Sequence, residues 1–141
     1  MLDPLASERG IRLTRQLGFD AKPVLADADL LSSAVSNLVS NAIKYSPQDT
    51  EVVISAKNAA GGVSIEVADQ GYGIPEESLN RVFEKFYRVP RVEDVDVPGT
   101  GLGLALVREI AELHGGSVAI RSTVGSGSVF TLWVPCSEDA Q

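Results

Sequence analysis

"DADLLSSAVSNLVSNAIKYS", residues 27–46, is the stretch on which the reading of the fold turns. Leu30, Leu31, Ala34, Val35, Leu38, Val39, Ala42 and Ile43 recur at helical spacing and define one apolar face. Asp27 stands where an N-cap belongs, and Ser46 precedes Pro47, whose ring disfavours helical backbone at the residue before it. The stretch therefore reads as one long amphipathic helix. Asn37, Asn41 and Lys44 lie off that face, and at about 100° per residue they fall within roughly 60° of one another. Asparagine inside a helix costs about half a kcal/mol against alanine, so two in register call for an offsetting partner. A bound ligand is one such partner; a plain solvent-facing side is the other reading of the stripe.

Outward from this helix, "IRLTRQL" (11–17) alternates apolar and polar residues as a strand does, and "KPVLA" (22–26) reads as a second short extended piece. "TEVVISAK" and "GVSIEVAD" alternate on either side of "NAAGG", predicting a hairpin with a longer turn. Pro75, Glu76 and Glu77 open a short helix. "RVPRVEDVDVPGT" (88–100) is charged, proline-bearing and aperiodic, and reads as a mobile loop. A second long helix is expected from about Gly101 to His114, stopped by Gly115 and Gly116. "SVAIRS" and "SVFTLWV", joined through "TVGSG", close the chain as two strands. Mostly antiparallel strands with about three helices suit a two-layer α/β sandwich of the α+β kind.

With 141 residues the chain is long enough for one domain and too short for two ordinary ones, so 1–141 is read as a single unit. A net charge of -7 argues against a nucleic-acid partner, whose phosphates are met by clustered Lys and Arg. No apolar run approaches the roughly 20 residues of a membrane span, and the N-terminus lacks the order of a secretory signal. The expectation is a cytoplasmic domain without direct membrane contact. The single cysteine, Cys136, has no internal partner and is assigned no role.

Two further motifs bear on chemistry. In "VSIEVADQGYGIP" the alternation carries Asp69 onto the face of Val63, Ile65 and Val67. A carboxylate in a core-facing row needs donors to offset its lost hydration. Gly71 and Gly73 follow, able to take positive φ and to bring backbone close to a flat ligand; a strand ending in an Asx turn is the plainer reading. "PGTGLGLAL" places Gly99, Gly101 and Gly103 at the entry to the second long helix, where free N–H groups and the dipole suit a phosphate. It is neither a P-loop, because no lysine follows a glycine, nor GxGxxG, because Leu104 holds the last position.

Taken in order, these motifs resemble the catalytic ATP-binding domain of two-component sensor histidine kinases, of the GHKL class. "NLVSNAIKY" is similar to the family's N box, "DQGYGI" to its first glycine box, "FEKFYR" to its F box and "GTGLGLAL" to its second; "AELHGG" and "GSVFTLWVP" extend the likeness over nearly the whole chain. The resemblance implies the Bergerat fold, a mixed sheet against helices, with Mg-ATP held under a lid at about 88–100. It implies that Asn41 binds Mg²⁺, that Asn37 contacts the phosphates or a metal-bound water, and that Lys44 and Arg88 reach the phosphates; Asn41, Lys44 and Arg88 are the residues expected to serve transfer. Tyr45 would lie against adenine, Asp69 would accept from its amino group, and Gly71, Gly73 and Ile74 would line the base. Thr100, Gly101, Leu102 and Gly103 would meet the phosphates, and Ser128 would steady Asp69 through a water.

The family phosphorylates a histidine on a separate helical hairpin. Here His114 is the sole histidine, in "ELHGG" at a helix end, where capping is the expected role. The resemblance then implies a protein-histidine kinase domain whose partners are the parent's histidine-bearing hairpin and a response regulator. Residues 1–9 are read as a linker remnant, the isolated domain as a monomer, and the parent as either soluble or membrane-anchored. Competing readings are an anti-sigma-type serine kinase, against which "FEKFYR" speaks, an ATP-gated clamp, which would need a transducer domain, and a module that binds ATP without transferring it.

Overall fold

The computed structural model describes residues 3–17, 26–88 and 102–136. Among the described residues nine elements follow in order: α1 (Asp3–Glu8), β1 (Arg12–Gln16), α2 (Ala28–Lys44), β2 (Glu51–Ala59), β3 (Gly62–Asp69), α3 (Glu76–Leu79), α4 (Gly103–Leu113), β4 (Ser117–Thr123) and β5 (Gly127–Pro135). The strands form one mixed sheet in the order β1-β2-β3-β5-β4, with β1 parallel to β2 and the other pairs antiparallel. The expected short strand 22–26 lies, except for Ala26, outside the described residues, as does the expected lid beyond Arg88.

α2 forms as its periodicity dictates. Asp27 caps it, accepting from the Leu30 N–H at 3.0 Å, and Ala34, Leu38, Val39, Ala42 and Ile43 are buried along one side. α4 buries Ala105, Val107, Ile110 and Ala111 and ends at His114, after which Gly115 turns the chain at φ +74°. Both helices pack on one face of the sheet, and the core between the layers includes Val52, Ile54, Val67, Phe130 and Leu132. On that face the register aligns Ile65 with Leu132 and Val118, then Val67 with Phe130 and Ile120, then Asp69 with Ser128 and Ser122. Two apolar rows thus give way to a polar row at one end of the sheet.

The β2–β3 hairpin differs from expectation. The strands run on through Asn58, Ala59 and Gly62, leaving only Ala60 (φ +50°) and Gly61 (φ +75°) between paired residues. Two consecutive left-handed residues match the twist of a tight hairpin. Long-range packing selects it: Trp133 donates its indole N–H to the Ala59 carbonyl at 2.8 Å, and a Cβ on Gly62 would stand 2.1 Å from the Val134 carbonyl oxygen.

α1 is docked on the body, with Ala6 only 2% exposed. Just after it, Arg9 donates to the carbonyls of Ile43 (3.3 Å) and Lys44 (3.0 Å) in the last turn of α2.

Candidate functional site

α2 and α4 run side by side in opposite directions, so the middle of α2 meets the start of α4. Asn37 sits at that meeting point: its amide donates to the Ser33 carbonyl at 2.9 Å, and its Oδ1 lies 3.1 Å from where a Cβ on Gly103 would be. Gly103 therefore lets the α4 N-terminus close on the stripe. Asn41 and Lys44 continue the stripe toward the C-terminal end of α2; both are half-buried, and among the described residues neither side chain has a hydrogen-bond or ion-pair partner. A half-buried amide and ammonium left so cost free energy that a ligand would recover. The structure sets Asn37 against Gly103, with Asn41 and Lys44 farther along the same helix and Leu102 just ahead of Gly103 in the chain; Thr100 and Gly101 lie outside the described residues.

The second half of the site is the loop after β3. Asp69 is half-buried at the end of its row. Its Oδ1 accepts the Gly71 N–H at 2.8 Å and the Ser128 N–H at 3.2 Å. The Asx turn is thus real, and it coexists with the cross-strand bond that holds the carboxylate in place. Ser128 meets Asp69 through its main-chain N–H, and its hydroxyl lies 2.8 Å from that of Ser122. The reason is the register, which pairs Ser128 with both Asp69 and Ser122.

The two glycines of this loop differ in backbone conformation. Gly73 has φ +76°, whereas Gly71 is not in the left-handed region. In both, the missing Cβ admits a close approach of the protein's own backbone. A Cβ on Gly71 would stand 2.4 Å from the Tyr45 carbonyl oxygen, and one on Gly73 would stand 2.2 Å from that of Thr123. The loop is clamped between the end of α2 and the β4–β5 turn. Tyr45, the C-cap of α2, accepts the Tyr72 N–H at 3.4 Å; Tyr72 in turn accepts the Gly125 N–H at 2.9 Å. Ile74 is 7% exposed and donates its N–H to Ser122 Oγ at 2.7 Å.

The aromatic stretch 83–88 joins site to core. Phe83 meets Phe130 edge-on at 6.1 Å, Tyr87 shares a 2.7 Å hydroxyl bond with Ser78, and the Arg81 guanidinium lies 4.5 Å over the Tyr87 ring. Phe86 is 71% exposed at φ +67°. Arg88 is exposed at the last described position before residue 102.

His114 does cap α4, and it does more. Its Nδ1 lies 2.7 Å from the Ile110 carbonyl, and its Nε2 accepts the Asp27 N–H at 3.0 Å, tying the end of α4 to the start of α2. Those two partners require the Nδ1–H tautomer. Sequence reasoning missed Arg9, Ser122 and the Asp27–His114 link, because each acts on a residue distant in the chain. Among the described residues no cluster of three His, Cys, Asp or Glu could hold a metal, and no helix is long and apolar enough to cross a membrane.

Comparison with known proteins agrees with this geometry. Residues 26–138 match the family described as histidine kinase-, DNA gyrase B-, and HSP90-like ATPase. The sensor-like histidine kinase SenX3 of Mycolicibacterium smegmatis is 48% identical over 112 residues, covering 79% of this chain and 29% of that protein. Among solved structures, full-length ShkA in complex with AMPPNP superposes with a TM-score of 0.85 at 30% identity, over 99% of this chain and 28% of that one. The nucleotide-free catalytic domain of histidine kinase ThkA gives 0.81 at 26% identity, over 99% and 88%. The chain spans less than a third of the length of SenX3. Its mixed five-stranded sheet with helices on one face is the fold of histidine kinase catalytic domains. By this match, and with the Asn stripe, the clamped glycine loop and the helix-entry glycine in place, the chain belongs to the histidine kinase-, DNA gyrase B- and HSP90-like ATPase family.

Proposed function

We propose that this chain is the catalytic domain of a sensor histidine kinase, that it holds Mg-ATP between α2 and α4, and that it donates the γ-phosphoryl group to a histidine on a separate helical hairpin, from which a response regulator receives it. The observation that carries the reading is the pair Asn41 and Lys44, half-buried and without side-chain partners among the described residues, on the face where Asn37 abuts Gly103. The complex of the similar ShkA with AMPPNP supports a nucleotide as the ligand.

In this reading Asn41 offers its amide oxygen to Mg²⁺, which favours oxygen ligands and keeps several waters, so one protein oxygen beside phosphate oxygens suffices. The ion, when bound, neutralises charge on the phosphates. Asn37 turns toward the phosphates or a metal-bound water, and Lys44 adds a positive charge close by. Thr100, Gly101, Leu102 and Gly103 bring N–H groups at the positive end of α4, and Arg88 reaches in from the start of the lid. Asp69 accepts from the adenine amino group, with Tyr45, Gly71, Gly73 and Ile74 around the ring. A lone pair of the hairpin histidine attacks the γ-phosphorus as its bond to the bridging oxygen breaks, and ADP departs with that oxygen. The chain's contribution is positioning and charge neutralisation. His114 is not the acceptor, because both ring nitrogens are engaged within the domain.

The test mixes the domain with ATP radiolabelled at the γ-phosphate and the parent's dimeric histidine hairpin. The expected product is an acid-labile, base-stable label on the hairpin, absent with Asn41→Ala although that variant folds as stably as the parent, since alanine is the better helix former. Label retained with Asn41→Ala, or an acid-stable label, would overturn the reading.

A further inference from the structure

The polar row that ends the helix-facing side of the sheet, Asp69–Ser128–Ser122, contains a residue that none of the motifs drew attention to. Ser122 has one hydroxyl proton and two lone pairs. Three partners surround that hydroxyl: the Ile74 N–H at 2.7 Å, the Gly127 carbonyl at 3.0 Å and the Ser128 hydroxyl at 2.8 Å. The Ile74 amide can only donate and the Gly127 carbonyl can only accept. The Ser122 proton therefore goes to Gly127, and its remaining lone pair must receive the proton of Ser128.

This ordering has a consequence one strand further on. With its own proton committed to Ser122, Ser128 Oγ can only accept from any other partner. Ser128 is 6% exposed, so no bulk water is at hand to scramble the arrangement. Beside it stands Asp69, whose carboxylate Ser128 holds through its main-chain N–H at 3.2 Å. A further partner of the Ser128 hydroxyl therefore meets a lone pair, and the side chain next to it in the row, the Asp69 carboxylate, is an acceptor too. An amino group, which brings two hydrogens, fits such a pair; a carbonyl at the same position is repelled. Ser122 simultaneously pins Ile74, and with it the loop that lines the same place.

We propose that Ser122 is a positioning residue for base selectivity: by taking the Ser128 proton and holding Ile74, it makes the floor beside Asp69 an acceptor-only surface that favours a 6-aminopurine over a 6-oxopurine nucleotide. The inference rests on the nucleotide reading above. A serine that merely braced the β4–β5 turn would affect both kinds of base alike.

The test compares Mg-ATP with Mg-ITP, which differ only at that edge of the purine, by calorimetry on this chain. The parent domain should prefer ATP. Ser122→Ala releases the Ser128 hydroxyl to rotate and donate, so the ATP:ITP affinity ratio should fall about tenfold, the worth of one hydrogen bond. Ser122→Thr keeps the hydroxyl and should restore the ratio. In a Ser128→Ala background, Ser122→Ala should leave the ratio unchanged, because the group through which it acts is gone. If Ser122→Ala does not fold, Ser122→Cys fills the same space with a weak donor and should lower the ratio in the same sense. An unchanged ratio in the folded Ser122 variant, with ATP still preferred by the parent, would overturn the role of Ser122 alone. Failure of the folded parent to bind ATP would instead overturn the nucleotide reading.

Discussion

Gly61 and Gly73 share nearly the same left-handed backbone, φ +75° and +76°, and differ in what surrounds them. A Cβ on Gly61 meets nothing within 4 Å, whereas one on Gly73 stands 2.2 Å from the Thr123 carbonyl oxygen. Alanine at either position incurs the left-handed penalty of about 1 kcal/mol, which cancels in the comparison. At Gly73 the loop must also move away from the β4–β5 turn by about 1 Å to reach ordinary van der Waals contact. Two bonds span that gap: Gly125 N–H to Tyr72 carbonyl at 2.9 Å and Ile74 N–H to Ser122 Oγ at 2.7 Å. Their loss at about 1 kcal/mol each, with about 1 kcal/mol of residual overpacking, puts Gly73→Ala about 3 kcal/mol below Gly61→Ala. For 141 residues that corresponds to a melting point lower by about 10 °C. Urea unfolding followed by circular dichroism, with equal slopes for the two variants, reads the difference directly. Equal stabilities within about 0.5 kcal/mol would refute the claim that this glycine exists to let the loop close on Thr123.

Three further outcomes are expected. Asp69→Asn should fold but bind ATP about tenfold more weakly, since an amide can present a donor where the adenine amino group needs an acceptor; unchanged affinity would leave Asp69 as a turn residue only. His114→Ala should cost about 1–2 kcal/mol in denaturant by stranding the Asp27 N–H that donates to it, while label transfer to the hairpin remains nearly unchanged; loss of transfer from a folded variant would place His114 in the chemistry. Hydrogen bonding from Arg15, its largest cause, lowers the Asp3 pKa from its ordinary 3.8, so the pair's contribution is present above that value and fades as pH falls through the lower folded-state value. Stability curves of the parent and Asp3→Asn should therefore converge on acidification, and a gap that widened instead would reverse the sign.

What the sequence by itself determined is local in physical origin. The 3.6-residue spacing of apolar side chains from Leu30 to Ile43 made α2 legible, as did Asp27, whose carboxylate caps a residue three positions on. Alternation in β2, β3 and β5 was legible for the same reason, since each side chain's face depends only on its position along its own strand. The Asn stripe, the aspartate and the glycines were readable as motifs because their residue types are costly or unusual where they stand. What only the tertiary structure decided depends on segments far apart in the chain. The order β1-β2-β3-β5-β4 and its register set Asp69, Ser128 and Ser122 side by side, though Ser122 is 53 residues from Asp69 and no periodicity links them. Trp133 tightened a hairpin turn at Ala60–Gly61 that its own residues left ambiguous. Arg9 found the end of α2, and His114 the start of it, through hydrogen bonds spanning 34 to 87 residues. The close approach of the Tyr45 and Thr123 backbone to Gly71 and Gly73 was likewise not legible, because the space a missing Cβ leaves is filled by whatever the global packing brings nearest.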